Sequence, residues 1–343
     1  MKITRELIHE LPKTDLHVHL DGSLRVSTAI ELARKNGVTL PSENEDEVYD
    51  FLSVKGQVEN LSEYIEKFDI TLRLMQDQEA LRRIAYELAE DASNENITYM
   101  EVRYSPILHQ EKGLSLQQVV DAVLEGLREA ERKFPIKTGV IICGIRSINP
   151  ATSLRLAELA VQYKRKGVVA FDLAGREFNY PAKDHAKAFY VIRKNCVNCT
   201  AHAGEAYGPD SIHQAIHACG AHRIGHGTRL IEDEDLLNYV CDHRIPLEVC
   251  LTSNVQTKTV LRIEHHPFKK YLDRQLRVTL NTDNRLISRT TMTDEIWLAT
   301  QTWDLDFDQV KKVILNGFKS LFIPFEQKAR IYNEAKARLN QFG

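Results

Sequence analysis

Eight short apolar runs recur along the chain and predict eight β-strands. They are apolar at most positions and do not alternate cleanly, as expected of strands that are covered on both faces. The runs are TDLHVHL (14–20), ITYMEVRYSP (97–106), TGVIICGI (138–145), GVVAFDLAG (167–175), CTAHAGE (199–205), HRIGHGT (222–228), PLEVCLTSN (246–254) and RVTLNTD (277–283). Stretches with helical periodicity lie between them, for example at 114–134, 210–220, 232–243 and 265–275. A strand–helix unit repeated eight times predicts an α/β fold, the (β/α)8 TIM barrel.

The first two predicted strands are separated by a long insertion, residues 23–95, which reads as several helices. One of these helices, at 61–75, carries apolar residues at helical spacing, among them Leu61, Tyr64, Ile65 and Phe68. An insertion after the first strand emerges on the face of the barrel that carries the active site. The apolar stripe is therefore either a lid that covers a ligand or a surface that packs on the barrel, and one stripe can do both.

Composition limits the classes of function. The chain has 343 residues, 43% of them hydrophobic and 27% charged, with a net charge of −3, so nothing favours binding to nucleic acid or to an anionic membrane. The N-terminus lacks the apolar core of a signal peptide, and no run of about 18 apolar residues suggests a transmembrane helix. Six cysteines indicate no disulfide framework, so we expect a reducing, cytoplasmic location, with Cys196 and Cys199 as reduced packing thiols.

The end of the chain reads as two closing helices, at 307–318 and 327–342. No linker or low-complexity segment interrupts the pattern, so residues 1–343 are expected to form a single domain. The sequence leaves the oligomeric state open.

Side chains with metal-binding chemistry follow the predicted strand ends, where a barrel places its active site. His17 and His19 are two residues apart on one strand and therefore point to the same face. His202 adds a third imidazole, and Asp283 adds a carboxylate from the last strand, which neighbours the first when the barrel closes. This set suits Zn2+ with a position left for water, although another transition metal could occupy it.

Apart from these three and His226, which also ends a predicted strand, nine histidines fall in helices, loops or strand beginnings, and we interpret them as surface or packing residues. They are His9, His109, His185, His213, His217, His222, His243, His265 and His266. Barrel hydrolases with two metals commonly bridge them with a modified lysine at the end of the fourth strand. The fourth strand here ends in FDLAGRE, without a lysine, so we predict one Zn2+ per chain.

Two further strand-end residues could handle protons. Glu205 lies three residues after His202, so its carboxyl can stand beside the metal and donate a proton to a basic atom of the substrate. His226, between two glycines in IGHGT, can orient or deprotonate the attacking water. Each alone is more simply explained as a structural residue, and it is their joint placement that favours catalysis.

The motifs HVHLDGS, EVRYSP, DLAGRE, HAGEAYGP, RIGHGTRL, EVCLTSNVQT and LNTDN occur in this order, one at each of seven strand ends. Together they resemble the adenosine deaminases of the amidohydrolase superfamily, from about residue 13 to about residue 290. The resemblance implies that His17, His19, His202 and Asp283 hold zinc and an activated water. It implies hydrolytic deamination of adenosine, and also 2′-deoxyadenosine, to inosine and ammonia.

The same resemblance implies roles around the purine. Glu205 would protonate N1, and His226 would hold the hydroxide for attack on C6. Asp21 would bind the ribose hydroxyls, the amide of Gly175 would contact N3, and Leu61, Tyr64, Ile65 and Phe68 would cover the base.

Two residues depart from the family pattern. Arg176 stands where many relatives have Asp, and Asn284 stands where many have a second Asp that contacts purine N7. N7 accepts hydrogen bonds, and an amide donates at every pH, so we predict that Asn284 preserves recognition of the base. Adenine or a 5′-substituted adenosine, such as aminodeoxyfutalosine or methylthioadenosine, remains an alternative substrate. A catalytically inactive, nucleoside-binding barrel is a remote alternative.

Overall fold

The computed structural model describes residues 2–342, and eight parallel strands form its centre. They are β1 (Lys13–His19), β2 (Ile97–Tyr104), β3 (Lys137–Ile145), β4 (Val168–Ala174), β5 (Asn198–Ala203), β6 (Arg223–His226), β7 (Leu247–Val249) and β8 (Val278–Leu280). Each strand pairs with the next in chain order. A parallel bridge between Val18 and Asp283 joins the end of β8 to β1. The predicted (β/α)8 barrel is therefore confirmed.

Sixteen α-helices surround or cover the strands in the described part of the chain. They are α1 (Arg5–Glu10), α2 (Val26–Asn36), α3 (Glu45–Leu52), α4 (Leu61–Glu66), α5 (Phe68–Leu74), α6 (Gln78–Asn94), α7 (Leu116–Lys133), α8 (Pro150–Tyr163), α9 (Ala186–Lys194), α10 (Pro209–His217), α11 (Glu234–Asp242), α12 (Leu251–Gln256), α13 (Phe268–Asp273), α14 (Met292–Trp303), α15 (Phe307–Lys319) and α16 (Phe325–Leu339). None of them, within residues 2–342, is long and apolar enough to cross a membrane.

Two sequence-based boundaries were wrong. The predicted strand 246–254 ends at Val249, and the chain turns directly into α12. The predicted helix 61–75 is two helices, α4 and α5, which meet at Lys67. Asn60 starts α4, because its side chain accepts hydrogen bonds from the backbone of Ser62 and Glu63.

The helical insertion, α2 to α6, lies against the loops that follow β7 and β8. The backbone N–H of Val54 donates to the carbonyl of Ile287 at 2.8 Å, and that of Val58 donates to Gln256 at 2.9 Å. Tyr64 packs with Val54, Val58 and Ile287 in a small apolar cluster of its own. The stripe therefore packs on the barrel loops through Tyr64, whereas Phe68 is only partly buried there.

Candidate active site

Three imidazoles and one carboxylate converge at the C-terminal ends of the strands. The ligand atoms of His17, His19, His202 and Asp283 all lie within 4.8 Å of one another. Nε2 of His19 is 3.2 Å from Nε2 of His202 and 3.4 Å from Oδ1 of Asp283. Nε2 of His17 is buried and has no hydrogen-bond partner among the described residues, so a ligand atom is left aimed into the cluster.

Local backbone geometry brings Asp283 to the two histidines of β1. The N–H of Asp283 donates to the carbonyl of His17 at 2.8 Å, and the N–H of His19 donates to the carbonyl of Asp283 at 2.7 Å. Asp283 has φ +59°, a conformation that costs a non-glycine residue energy and is common at functional sites. The turn after β8 thus directs this carboxylate into the barrel mouth.

Two buried carboxylates stand behind the histidines, and the sequence analysis did not single them out. Glu248 on β7 lies 2.9 Å from Nδ1 of His17, and Asp172 on β4 lies 3.0 Å from Nδ1 of His202. The fully buried guanidinium of Arg103 bridges them, at 3.0 Å from Asp172 and 2.8 Å from Glu248. Carboxylates in this position fix the orientation of a metal-binding imidazole. In the sequence, the feature that could have identified these carboxylates is a charged residue inside an otherwise apolar strand.

The protonation states suit a cation. Burial lowers the pKa of His19 and of His202, which favours neutral imidazoles. Burial by itself would raise the pKa of the Asp283 carboxyl, but His17, whose Nε2 lies 3.5 Å from Oδ1, holds it well below its usual range. Burial and the charge of Arg103 would lower the pKa of His17, but Asp283 and Glu248 raise it, so this imidazole would release its proton when a cation binds. Three nitrogens with one oxygen suit Zn2+. The residues present therefore fit the metal predicted from the sequence.

Glu205 and His226 face each other beside this cluster, with Glu205 Oε2 3.6 Å from Nε2 of His226. Burial, and then the charges of Asp283 and Glu177, raise the pKa of the Glu205 carboxyl well above its ordinary value. A carboxyl that keeps its proton near neutral pH is suited to general acid catalysis. Burial lowers the pKa of His226 well below its ordinary value, so this imidazole is neutral. His226 also has a positive φ, +62°.

Glu177 holds the loop that carries Glu205 and was also missed by the sequence analysis. Its carboxylate accepts hydrogen bonds from four consecutive backbone N–H groups, those of residues 204–207, at 2.5–3.0 Å. Four amide dipoles directed at one buried carboxylate fix the loop. The Glu205 side chain therefore extends from a rigid backbone.

The residues expected around the base and ribose are distributed over the same face. Asp21 is buried, Oδ1 of its carboxylate lacks a partner within the described chain, and burial raises its pKa to about 7. Gly175 follows β4 with φ +92°, where a side chain would be strained. The ring of Phe68 stands 6.5 Å from that of His19. Leu61 and Ile65 are half-buried on α4.

The helical insertion fixes the orientation of the Asn284 side chain. Its Nδ2 donates to the hydroxyl of Tyr64 at 3.0 Å, and that hydroxyl lies 2.5 Å from Oγ of Ser288. On the other side, a Cβ atom at Gly22 would lie 1.9 Å from Oδ1 of Asn284. The carboxamide is thus confined between Gly22 and Tyr64, and one of its two amide hydrogens is already in use. Sequence reasoning placed Tyr64 and Asn284 in the site but did not foresee that they bond to each other.

The other residues of interest lie outside the cluster. Arg176 is exposed beside Gly175. Cys196 is exposed and Cys199 is buried, both as free thiols. None of the nine scattered histidines named above belongs to the cluster of possible metal ligands in the described chain, and His266 is bonded to Asn254.

Comparisons with known proteins agree with this geometry. The family described as adenosine deaminase matches residues 12–338. The chain is 39% identical to the adenosine deaminase of Clostridium kluyveri over 335 residues, covering 98% of this chain and 96% of the relative. It is 41% identical to a probable adenosine deaminase of Dictyostelium discoideum over 97% of its length, but spans only 43% of that longer protein.

Solved structures share the fold. Arabidopsis ADAL complexed with IMP superposes with a TM-score of 0.87 at 27% identity, covering 98% of this chain and 99% of the other. A zinc-bound amidohydrolase from Burkholderia ambifaria superposes with a TM-score of 0.91 at 23% identity, covering 99% and 94% of the two chains. Two findings decide which family the chain belongs to. The family matches almost the full length of the chain, and about two residues in five are identical to those of its members. The chain belongs to the adenosine deaminase family.

Proposed function

We propose that this protein catalyses the hydrolytic deamination of adenosine, and of 2′-deoxyadenosine, to inosine and ammonia. The single observation that carries the proposal is the buried Glu205 carboxyl, whose pKa burial raises well above its ordinary value, beside a cluster of three histidines and Asp283. The adenosine deaminases of 39–41% identity over nearly the whole chain support the substrate. The free cysteines favour a reducing compartment, the cytoplasm.

The metal that we propose is one Zn2+ per chain, held by His17, His19, His202 and Asp283. When bound, it would lower the pKa of a water molecule and so supply a nucleophile at neutral pH. His17 and His202 are kept in place by Glu248 and Asp172, and Arg103 pairs with both carboxylates. The absence of a lysine at the end of β4 supports one metal over two.

The residues of the chain handle the purine and the protons. Glu205 donates its proton to N1, which makes C6 electrophilic, and His226 orients or deprotonates the attacking water. Asp21 accepts hydrogen bonds from the ribose, and the Gly175 amide donates to N3. The second hydrogen on Nδ2 of Asn284 is available to N7, since Tyr64 takes only the first.

The insertion supplies the cover of the base in this proposal, through Leu61, Tyr64, Ile65 and Phe68. The ring of Phe68 lies 6.5 Å from that of His19, and the hydroxyl of Tyr64 bonds Ser288 in the loop after β8. Leu61 and Ile65 are only half-buried, which leaves apolar surface free to contact a ligand.

The test is Glu205→Gln, which keeps the shape of the side chain and removes the proton donor. We expect zinc content to be unchanged and kcat for adenosine to fall about 10²- to 10⁴-fold, the usual contribution of positioned proton transfer. Glu334→Gln, at a largely exposed acid, is the matched control and should keep full activity. Near-wild-type turnover in Glu205→Gln would remove Glu205 from its role.

A substrate panel on the zinc-loaded enzyme separates the remaining candidates. Adenosine and 2′-deoxyadenosine should be turned over faster than adenine, AMP and 5′-substituted adenosines. AMP is included because a similar solved structure was determined with IMP. A preference for any of the latter three would reassign the substrate without changing the chemistry.

A further inference from the structure

His226 is supported from behind by a chain of three hydrogen bonds that begins at a backbone amide. The N–H of Phe268 donates to Nδ1 of His266 at 3.0 Å. Nε2 of His266 lies 3.2 Å from Oδ1 of Asn254, and Nδ2 of Asn254 lies 3.0 Å from Nδ1 of His226. All three side chains are at least 97% buried, so water does not compete for these bonds.

The backbone amide fixes the direction of the first two bonds. A backbone N–H can only donate, so Nδ1 of His266 is an acceptor and carries no hydrogen. Burial lowers the pKa of His266 to about 3, which makes the ring neutral at physiological pH. Its single hydrogen is therefore on Nε2, and His266 donates to Asn254.

The hydrogen bonds of Asn254 then determine which nitrogen of His226 is an acceptor. Its Oδ1 accepts from the hydroxyl of Thr228 at 2.9 Å as well as from His266. The Thr228 hydroxyl could also accept, but Nε2 of His266 can only donate here, so this atom is the carbonyl oxygen and the NH2 group faces Nδ1 of His226. Because an NH2 group only donates, Nδ1 of His226 accepts and carries no hydrogen, so the ring hydrogen is on Nε2, the atom that faces Glu205.

We propose that His266 and Asn254 are positioning residues that fix His226 as the tautomer with its hydrogen on Nε2. His226 then acts on the attacking water as a hydrogen-bond donor that orients it, and not as the base that deprotonates it. This inference rests on the proposed function and decides between the two roles left open for His226. The bonds behind a histidine set which ring nitrogen faces the substrate, and a wrong tautomer is costly to catalysis.

The tautomer is measured directly by 15N NMR of the zinc-loaded enzyme with 15N-labelled histidine. The ring signals of His226 are identified by their loss in His226→Gln. We expect the protonated-nitrogen signal at Nε2 and the unprotonated-nitrogen signal at Nδ1. A protonated Nδ1 in the wild-type enzyme would overturn the inference, whatever the activity.

Variants then connect the tautomer to the rate. Asn254→Asp keeps the size of the side chain but replaces the donor by an acceptor, so we expect the hydrogen of His226 to move to Nδ1. Turnover of adenosine should fall about 10²- to 10⁴-fold with zinc content retained, as for loss of a positioned proton-handling group. Wild-type turnover together with an unmoved tautomer signal in Asn254→Asp would also overturn the inference.

His266 supplies a second pair of variants in case Asn254→Asp fails to fold. Gln can donate to Asn254 from its NH2 group and Leu cannot, so His266→Gln should keep more activity and a purer His226 tautomer than His266→Leu. Equal effects of the two changes on rate and spectrum would contradict a positioning role.

The matched control is His109→Leu, at a fully buried histidine that bonds the carbonyl of Met75, away from the cluster. It should lower stability without changing the His226 signals. Lack of adenosine turnover by the wild-type enzyme would refute the proposed function, whereas the NMR tautomer reports on this inference separately.

Discussion

Asp172→Asn tests whether the buried carboxylates hold the metal site together. Oδ2 of Asp172 accepts from Arg103 at 3.0 Å and lies 3.0 Å from Nδ1 of His202. Oδ1 accepts from Nδ1 of His202 at 3.3 Å and from the N–H of Leu173 at 2.7 Å. An asparagine can place its oxygen at only one of these two positions. Its NH2 group then faces a donor at the other position, and the negative charge opposite Arg103 is lost.

The magnitude follows from these contacts. Losing one hydrogen bond to a charged group costs about 1.5–3 kcal/mol, and breaking a buried ion pair costs about 3–5 kcal/mol. Arg103 keeps its second partner, Glu248, so we expect the free energy of unfolding to fall by about 3 kcal/mol, toward the lower end of the ion-pair range. Zinc affinity should fall about 10- to 100-fold, the usual effect of losing the partner of a metal-binding histidine.

The assay is titration of the metal-free enzyme with buffered Zn2+, following recovery of adenosine turnover, alongside urea unfolding of the same preparation. At saturating zinc the activity should recover in large part, because no proposed ligand is removed. Asp308→Asn, at a carboxylate whose side chain is 92% exposed, is the control and should change neither curve. An unaltered zinc midpoint in a folded Asp172→Asn variant would refute the role assigned to Asp172.

Three further predictions concern the surroundings of the site. Gly22→Ala places a Cβ atom 1.9 Å from Oδ1 of Asn284 and should therefore displace the carboxamide. Competitive inhibition by inosine should then weaken more than inhibition by 7-deazainosine. Equal weakening of the two would contradict a contact between Asn284 and N7. Tyr64→Phe removes the hydroxyl that Asn284 bonds. The preference for inosine over 7-deazainosine as inhibitor should fall about 3- to 10-fold, as for loss of one hydrogen bond. Burial raises the pKa of Glu295 from 4.5 to about 7. Because the folded state binds the proton more tightly, the wild-type free energy of unfolding should fall between about pH 4.5 and pH 7, by up to about 3 kcal/mol, relative to Glu295→Gln. Parallel pH profiles of urea unfolding for these two proteins would rule that out.

The sequence by itself determined the barrel and the candidate ligands. Both follow from local patterns: apolar runs covered on two faces give the strands, and polar residues directly after them fall at one end of the barrel. His17 and His19 could be paired from strand periodicity alone, and the acid Glu205 followed from its distance to His202. These inferences depend on residues that are close in sequence or on the closure of eight strands.

The tertiary structure alone decided how those residues are held. Arg103 meets Asp172 and Glu248, which lie 69 and 145 residues away, and Tyr64 bonds Asn284 from 220 residues away. No periodicity encodes such pairs, because they depend on which inward-facing residues of different strands reach the same depth. They also depend on where the insertion docks on the barrel loops.

The support of His226 shows the same limit. Asn254 was assigned to a strand end but lies on α12, and His266 was interpreted as a surface or packing residue. Only the folded loops bring the two together behind His226. The apolar run of the sequence showed no sign of the short helix α12 after β7. This helix directs the side-chain amide of Asn254 into the site. The sequence could therefore name the group that we propose to act on the water, but the position of its hydrogen depends on bonds that exist only in the folded chain.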